Sequence, residues 1–452
     1  MTMEIVAEKK DALEVKIETL SEADLQAILK ELERRLSADE ATFVHSCVRC
    51  GLCADSCHYY LANGELEDIP AYKLNLVAKV IKGQFSAGGK IAPGWTGARK
   101  LDRDLVRQWV DTLFGRCSGC GRCTINCTSG INIAAMIRMA RGALAAADLV
   151  PPELQSTVMT AVNQGNNMGI PRQEWLDTVA WIEEELQAET QDRNARIPID
   201  AKGVQFLYTV NPREPKFFPL SLLAAAKVFH AAGASWTFSS DYYDVTNYGL
   251  YSGDDAYAGM LSDRLYQATA DLGAEVLVLG ECGHGFNANR WEAPQWLHKR
   301  PPFPVKSVLE IIAAFVSQGR IRLDPARNQA PVTLHDPCNL VRYGGVIEEQ
   351  RFLLKRAVAD FREMRPNRQK NYCCGGGGGQ LSMTRYAKRR LKAGRIKADQ
   401  IRKTGAKIVA APCHNCIDQL SELNREYKLG LEVKTVVEVV ANALVLEPPA
   451  QL

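Results

Sequence analysis

The sequence predicts an α+β, multi-domain chain: a helical N-terminal part organised around two cysteine runs, then an α/β part built twice from one unit. Three observations carry this expectation. The same cysteine spacing occurs at Cys47, Cys50, Cys53, Cys57 and at Cys117, Cys120, Cys123, Cys127. Apolar residues before and after these runs recur at helical intervals. Beyond residue 200, two stretches resemble each other segment by segment.

Residues 1–40 read as an N-terminal helical segment. Ser21 followed by Asp24 marks a capping-box start, and Leu25, Ile28, Leu29, Leu32 and Leu36 follow at the spacing of one helix face. Residues 41–150 read as a helical two-cluster domain. Its insert between the runs, 59–116, has helical patterning over 73–82 and a Gly/Pro-rich turn near 88–97, and a further helix is expected over 131–147. Residues 151–202 are expected to be linker helices, their acidic stretch at 183–192 leading to Pro198. The two units are placed at 203–325 and 326–452. Segment 305–312 matches 433–440, 272–279 resembles 404–411, and 206–212 resembles 332–337. Each unit reads as strand, helix, Gly-rich turn, helix, strand and final helix.

Metal ligation accounts best for the cysteines. A C-x-x-C-x-x-C-x-x-x-C ferredoxin run lets three thiolates grip one [4Fe-4S] cube while the fourth reaches across to another. Cys47, Cys50 and Cys53 are accordingly paired with Cys127, and Cys117, Cys120 and Cys123 with Cys57. His58 and Thr128 stand where a proline usually follows the fourth cysteine, which leaves every ligand in place. Zinc ribbons and disulfides are the competing readings, but zinc sites rarely use such a run twice. In the last third, Cys338, the adjacent pair Cys373 and Cys374 followed by Gly375 to Gly379, and Cys413-x-x-Cys416 form a different pattern. Neighbouring cysteines serve one tetrahedral metal poorly, yet with a distant C-x-x-C and an isolated Cys they can wrap an extended multi-iron cluster. Of the 14 cysteines only Cys282 is then left over.

The duplication explains that odd cysteine. In the first unit Cys282 stands where Cys413 stands in the second, Gly285 replaces Cys416, Arg213 replaces Cys338, and Asn247, Tyr248 and Gly249 replace Cys373, Cys374 and Gly375. A motif reduced to one ligand cannot hold the same cluster, so the first unit is expected to be a wall, a partner surface or a substrate-side element. Cys282 is a plain buried cysteine left by divergence, an extra cluster ligand, or a thiol that trades with substrate sulfur.

Size and charge exclude several classes. With 452 residues and 46% hydrophobic content the chain is long enough for two or three domains with their own cores. No stretch approaches the ~20 apolar residues that cross a bilayer, and the N-terminus is charged where a signal peptide needs an apolar run. Cysteines at cluster spacing argue for a reducing compartment, hence a cytoplasmic location. A net charge of +3 argues against nucleic-acid binding. Residues 385–407 nevertheless hold ten Lys or Arg and one acid, Asp399, which reads as a solvated helix face or as a docking surface for an acidic partner or anionic substrate.

The pattern of Cys338, Cys373, Cys374, Cys413 and Cys416 is the CCG motif and resembles that of heterodisulfide reductases. In that family it holds a noncubane [4Fe-4S] cluster whose irons attack a disulfide directly. Two cubane [4Fe-4S] runs, a degenerate unit and a complete CCG unit, in that order, cover nearly the whole chain. This order is similar to the D-type iron-sulfur subunits of heterodisulfide reductase and to DsrK-type subunits, the CCG-domain family with two ferredoxin-type cluster motifs. Cys50-Gly-Leu-Cys-Ala-Asp-Ser-Cys-His-Tyr-Tyr60, with Pro70 and Lys73 beyond it, also reads like that subgroup. The resemblance implies a haem b-type integral membrane subunit and other subunits of a redox complex as partners, and a peripheral position on the inner face of the membrane through them. It further implies reduction or formation of a disulfide or related sulfur-sulfur bond, in some members on a small sulfur-carrier protein.

A disulfide takes two electrons while cubanes deliver one at a time, so the five CCG cysteines would hold a site that tolerates a half-reduced state. The glycines after Cys374 would let substrate and backbone N-H groups approach the sulfurs; a phosphate-cradling loop is excluded because no Gly-Lys-Ser/Thr ending follows. His335, His284 and His414 are the candidate proton donors at neutral pH, with His414 inside the C-x-x-C. The first rival reading is an electron-relay subunit of a flavin-dependent 2-hydroxyacid or glycerol-phosphate dehydrogenase, whose members resemble chains with both CCG copies intact. The second is a scaffold with structural clusters. No G-x-G-x-x-G follows a strand, so no nicotinamide or flavin site of the chain's own is expected.

Overall fold

The computed structural model describes residues 11–446. The first ten residues of the expected N-terminal segment and the last six of the expected second unit lie outside them.

The N-terminal part is all helix. Ser21 and Asp24 form the expected reciprocal capping box, and the helix Glu22–Arg35 buries Leu25, Ile28, Leu29 and Leu32. The insert supplies the helix Pro70–Phe85, with proline at its first position where no N-H is needed. The expected turn near 88–97 is two short helices, Ala87–Ile91 and Pro93–Thr96, ended by Gly97 in the left-handed region. The helix Ile133–Ala145 follows the second cysteine run and packs on Glu22–Arg35 and Pro70–Phe85. Trp109, Leu113, Phe114, Met136 and Leu144 form the centre of this core, which extends without a break to Tyr248, Tyr251, Ala288 and Met383 of the C-terminal part.

The C-terminal part contains two four-stranded parallel sheets. The first has the order β2 (Trp236–Thr237), β1 (Phe206–Thr209), β3 (Val276–Leu279), β4 (Val305–Ser307); the second has β6 (Phe361–Arg362), β5 (Val332–Leu334), β7 (Ile408–Ala410), β8 (Glu432–Lys434). The central strands are continuously apolar because helices cover both faces, as parallel sheets require. Both orders place the second strand on one side of the first and the third on the other. The last helix of each half starts with a capping box, Ser307 with Glu310 and Thr435 with Glu438. Helix Pro219–Ala231 of the first half packs on Val436–Ala443 of the second, and Val308–Ser317 of the first packs on Glu349–Ala357 of the second. One apolar core therefore spans both sheets.

The expected linker region behaves differently. Helix Arg172–Thr190 is packed into the sheet core through Trp175, Val179, Ile182 and Leu186, and Trp175 stacks on Tyr243 with ring centroids 4.1 Å apart. Helix Pro152–Gln164 joins the N-terminal core through Leu154 and Val158. Acidic residues on its outer face made this stretch read as a linker, whereas its apolar face is buried. Among the described residues no helix is long and apolar enough to cross a membrane.

Candidate metal centre

The chain reverses direction across the second sheet between β5 and β7, and ligand sites of open parallel sheets form at the carboxyl ends of strands at such a point. Cys338 lies in the turn after β5 and Cys413 in the turn after β7, as N-cap of the helix His414–Glu426 that also carries Cys416. Cys373 and Cys374 arrive on the loop between β6 and the helix Ala387–Thr404. All five line one cavity of about 300 Å³, with Tyr251, His284, His335 and Asn339 in its walls. All five are buried and none is in a disulfide.

The sulfurs polarise one another. Cys374 Sγ lies 3.5 Å from Cys416 Sγ. Hydrogen bonds from Cys373 and Cys416 hold the Cys374 thiol well below its usual range, and one from Cys416 brings Cys413 down to about 7. The Gly375 N-H donates to Cys373 Sγ at 3.3 Å. Five soft donors converging on one enclosed space, with thiolate favoured at several, fit an iron-sulfur cluster; a tetrahedral zinc would leave one thiolate buried without a metal.

A second cavity, about 390 Å³, is lined by Cys57, Cys117, Cys120 and Cys123, so the fourth cysteine of the first run sits with the first three of the second. Gly119 and Gly121 have φ of 62° and 67°, which lets this loop curl tightly, and the Gly119 N-H donates to Cys117 Sγ at 3.3 Å. Fully buried Lys73 donates to the Arg116 carbonyl, and its charge offsets part of the burial that pushes the Cys57 thiol up. In the other set, burial raises the Cys53 thiol and the neighbouring Cys47 and Cys50 raise it further. Cys127 is half-buried beyond the short helix Arg122–Ile125, which packs on Leu52–Ser56.

The two cavities touch. Cys120 packs against the buried cluster formed by the CCG cysteines, and its interaction with Cys373 raises the Cys120 thiol and lowers that of Cys373. Ser118 Oγ lies 3.6 Å from Cys373 Sγ and 3.5 Å from His58 Nε2. The glycine run makes this contact possible: a Cβ on Gly378 would meet the Ser118 backbone at 2.6 Å, and Gly375, Gly378 and Gly379 all have positive φ. Three arginines tie the loops together through carbonyls. Arg141, buried within the helix Ile133–Ala145, donates to Leu113, Cys117, Tyr251 and Gly378; Arg122 donates to Ser56 and Lys370; Arg342 donates to Gln369, Cys120 and Asn371. Their charge is set against that of the thiolates. Nothing in the local sequence around Ser118, Arg141 or Arg342 announces these roles, because each depends on chain segments far away.

Two residues expected at the site stand behind it. Cys282 and His414 are not among the side chains lining the cysteine cavity. Cys282 is 1% exposed, and its sulfur faces His284 Nδ1 at 3.3 Å and Asn211 Nδ2 at 3.7 Å. The His414 Nε2 lies 3.3 Å from Glu214 Oε1, and Glu214 and Glu281 outweigh burial to raise the imidazole to about 9. His284 and His335 do line the cavity, and burial lowers His284 to about 3.

The basic stretch 385–407 is largely the helix Ala387–Thr404, and much of its charge is used internally. Arg385 pairs with Asp11 and Glu153, Arg389 with Asp111, Arg390 with Glu422, and Arg402 with Asp399, while Lys397 is fully buried. Arg389 and Arg390 are therefore structural and not part of a free docking face; exposed Lys388, Lys392, Arg395, Lys403 and Lys407 are what remains. Arg390→Glu is expected to cost about 3 kcal/mol or more, since it buries a charge beside Glu422, whereas Lys392→Glu stays within about 0.5 kcal/mol. Denaturant midpoints of the two variants check this.

A larger cleft, with an empty volume of about 1350 Å³, opens beside the cysteine cavity. Tyr251 and Asn339 belong to both walls, and Asn339 Nδ2 donates to Tyr251 Oη at 3.1 Å. The rest of the lining mixes apolar side chains such as Ala135, Ile137 and Leu250 with charged ones, of which Arg35, Arg138, Asp255 and Glu292 are interlinked by ion pairs.

Comparison with known proteins agrees with this geometry. The family model described as "4Fe-4S dicluster domain" matches residues 43–131, and that described as "Cysteine-rich domain" matches 332–421. The chain thus has an N-terminal dicluster domain and a C-terminal CCG domain and binds [4Fe-4S] clusters. The "Hdr-like menaquinol oxidoreductase iron-sulfur subunit" of Archaeoglobus profundus is 27% identical over 481 residues, covering 93% of this chain and 83% of that protein. The D-type subunit of the "Dihydromethanophenazine:CoB--CoM heterodisulfide reductase" of Methanosarcina mazei is 25% identical over 92% of this chain and 97% of its own length. An "EtfAB:quinone oxidoreductase" of Syntrophomonas wolfei is 22% identical over 83% of this chain, which spans 54% of that protein.

Proposed function

Since the chain is an iron-sulfur subunit of the kind found as the D-type component of heterodisulfide reductase, we propose that it passes electrons through two cubane [4Fe-4S] clusters to a noncubane [4Fe-4S] cluster that reduces or forms a disulfide or related sulfur-sulfur bond. The observation that supports this reading is the packing of Cys120, from the second ferredoxin run, against the CCG cysteines. Cys47, Cys50, Cys53 and Cys127 would hold one cubane, Cys117, Cys120, Cys123 and Cys57 the other, and Cys338, Cys373, Cys374, Cys413 and Cys416 the noncubane cluster. When bound, these groups supply single electrons at sulfur-ligated iron.

The protein's own part is to hold, insulate and charge-balance. Arg122, Arg141 and Arg342 fix the loops that carry the thiolates, and burial keeps water from the five CCG cysteines. The matching strand orders and reciprocal helix packing of the two halves support reading them as a duplicated unit in which the first has lost its ligands and become a wall. Tyr248 and Tyr251 of that half fill the space opposite Asn415 and Asn339. Electrons enter at the other end, where Cys50 is exposed between exposed Val48 and Leu52. A haem b-type membrane subunit that exchanges electrons with menaquinol is the partner for that end, in line with the name of the Archaeoglobus relative. Such a partner would hold the protein on the cytoplasmic face of the membrane. A small sulfur-carrier protein is one form the sulfur substrate could take.

The ion-paired side chains Arg35, Arg138, Asp255 and Glu292 in the cleft favour a charged sulfur compound over a quinone, whose ring and tail would bury those charges against apolar surface. A relay role toward quinone is the second reading, favoured by the likeness to the quinone oxidoreductase of Syntrophomonas wolfei. Mixing reduced protein with glutathione disulfide, cystine or a water-soluble quinone separates the two, with cluster reoxidation followed by absorbance. Reoxidation by a disulfide is expected, and Ala135→Trp, which fills the cleft wall, is expected to slow it at least tenfold with iron content unchanged. Fast reoxidation by quinone alone would leave the relay reading.

A further inference from the structure

We propose that His335 is a fixed hydrogen-bond donor to the CCG sulfurs, locked in its Nε2-H tautomer by Lys397 acting through Asn371, and that this pair of residues holds the potential of the cluster up. The inference deepens the proposed function and rests on it, because it assumes that the five cysteines carry a cluster.

Four observations build the donor. Lys397 is fully buried on the helix Ala387–Thr404, and among the described residues no carboxylate makes an ion pair with it. Its Nζ donates to Asn371 Oδ1 at 2.6 Å. An ammonium has no lone pair to accept with, so Asn371 Oδ1 must be the acceptor and the orientation of the amide is decided. Asn371 Nδ2 points the other way, to the Asp336 carbonyl at 2.8 Å and to His335 Nδ1 at 3.4 Å. A carbonyl can only accept, so both contacts agree that Nδ2 is the donor.

The consequence falls on the imidazole. Nδ1 accepts from Asn371 and so carries no proton, which leaves the hydrogen on Nε2. That Nε2 has no partner, although His335 is 0% exposed. A ring nitrogen of His335 lies within 4.8 Å of the Cys374 and Cys416 sulfurs, and the side chain lines their cavity. A buried N-H without a partner is costly, and the Cys374 and Cys416 sulfurs, within 4.8 Å of the ring, are the acceptors a small shift of the side chain would give it. The same tautomer denies Nε2 the lone pair a metal ligand needs, so His335 is a positioning residue and not a sixth ligand.

Both elements act in one direction. Lys397 is faced by Asp336, which Arg351 also holds at 2.7 Å, and by the Cys374, Cys373 and Cys416 thiolates. A positive charge and an N-H donor both stabilise the more negative, reduced state, and hydrogen bonds to sulfur and net charge are what set cluster potentials.

The test uses the full-length protein with its iron. The CCG signal is followed by electron paramagnetic resonance during a mediated redox titration of wild type, His335→Leu, His335→Gln and Lys397→Met. His335→Leu is expected to keep wild-type iron and lower the reduced-to-oxidised ratio at a given poise about tenfold, a shift of ~59 mV for one electron. His335→Gln, whose amide N-H replaces Nε2-H, stays near wild type, and Lys397→Met shifts in the direction of the Leu variant. Loss of the CCG share of iron in His335→Leu overturns the proposal by making the residue a ligand, and unchanged potentials in both His335→Leu and Lys397→Met overturn it as well. Should His335→Leu fail to fold, pulsed resonance on wild type carrying ¹⁵N-histidine decides: weak nitrogen coupling supports the donor, strong coupling of a bonded nitrogen sinks it. A wild type with both cubane signals and no CCG signal contradicts the proposed function instead.

Discussion

Cys374→Ser protein is expected to contain about eight irons where the wild type contains about twelve, four for each of three clusters, and to lose disulfide-dependent turnover entirely. Cys374 is 1% exposed, 3.5 Å from Cys416, and held in the thiolate range by the Cys373 and Cys416 thiols beside it. Serine is a hard, weakly acidic donor in a site built for soft ones. The cubane signals should persist, because their cysteines line a separate cavity. Iron analysis with spectra of both cubanes checks this, and retention of all the iron would sink the assignment of Cys374 as a ligand.

Arg351→Met should be the most destabilising substitution outside the cysteines. Arg351 and Asp336 are each about 1% exposed at the side chain, and the guanidinium forks onto both carboxylate oxygens at 2.8 and 2.7 Å while also bonding Glu363. Removing one partner of such a pair costs about 3–5 kcal/mol, because the other charge stays buried. Asp336 lies between His335 and Cys338 and also accepts from the Arg368 N-H at 2.6 Å, so the loss is delivered to the turn that presents Cys338. The variant is expected to lose CCG iron at temperatures where the cubanes survive. Adding Asp336→Leu should recover much of the stability, since an apolar pair often substitutes for a buried ion pair without loss. Denaturation midpoints of the single and double variants, with iron content, measure both effects.

Much of the site was legible in the chain because metal ligation leaves a local trace. The spacing Cys47 to Cys57 and its repeat are set by how a loop wraps a cube, and the C-C-G and C-x-x-C elements by how loops at strand ends wrap a larger cluster. The apolar faces of Glu22–Arg35 and Ile133–Ala145, and the continuous apolar strands β1 and β3, were readable for the same reason: periodicity is a local property. Helix Arg172–Thr190 was misread as a linker since its acidic outer face dominates its composition, while burial of Trp175 depends on Tyr243 and Phe238 elsewhere in the chain. Arg389 and Arg390 read as a free basic face for a similar reason; their acidic partners, Asp111 and Glu422, come from other elements.

The sequence by itself pointed to the cysteines as [4Fe-4S] ligands and to an N-terminal dicluster part followed by a CCG part. Only the tertiary structure decided how those groups meet. The packing of Cys120 against the CCG cysteines, that of Gly378 on Ser118, the cleft behind Tyr251 and Asn339, and the Lys397-Asn371-His335 chain all join residues from different elements. It also decided that Cys282 and His414 stand behind the cavity wall. The physical reason is that ligand spacing reflects the reach of a few covalent bonds, whereas the side a residue faces is settled by which distant surfaces pack together when the apolar core closes.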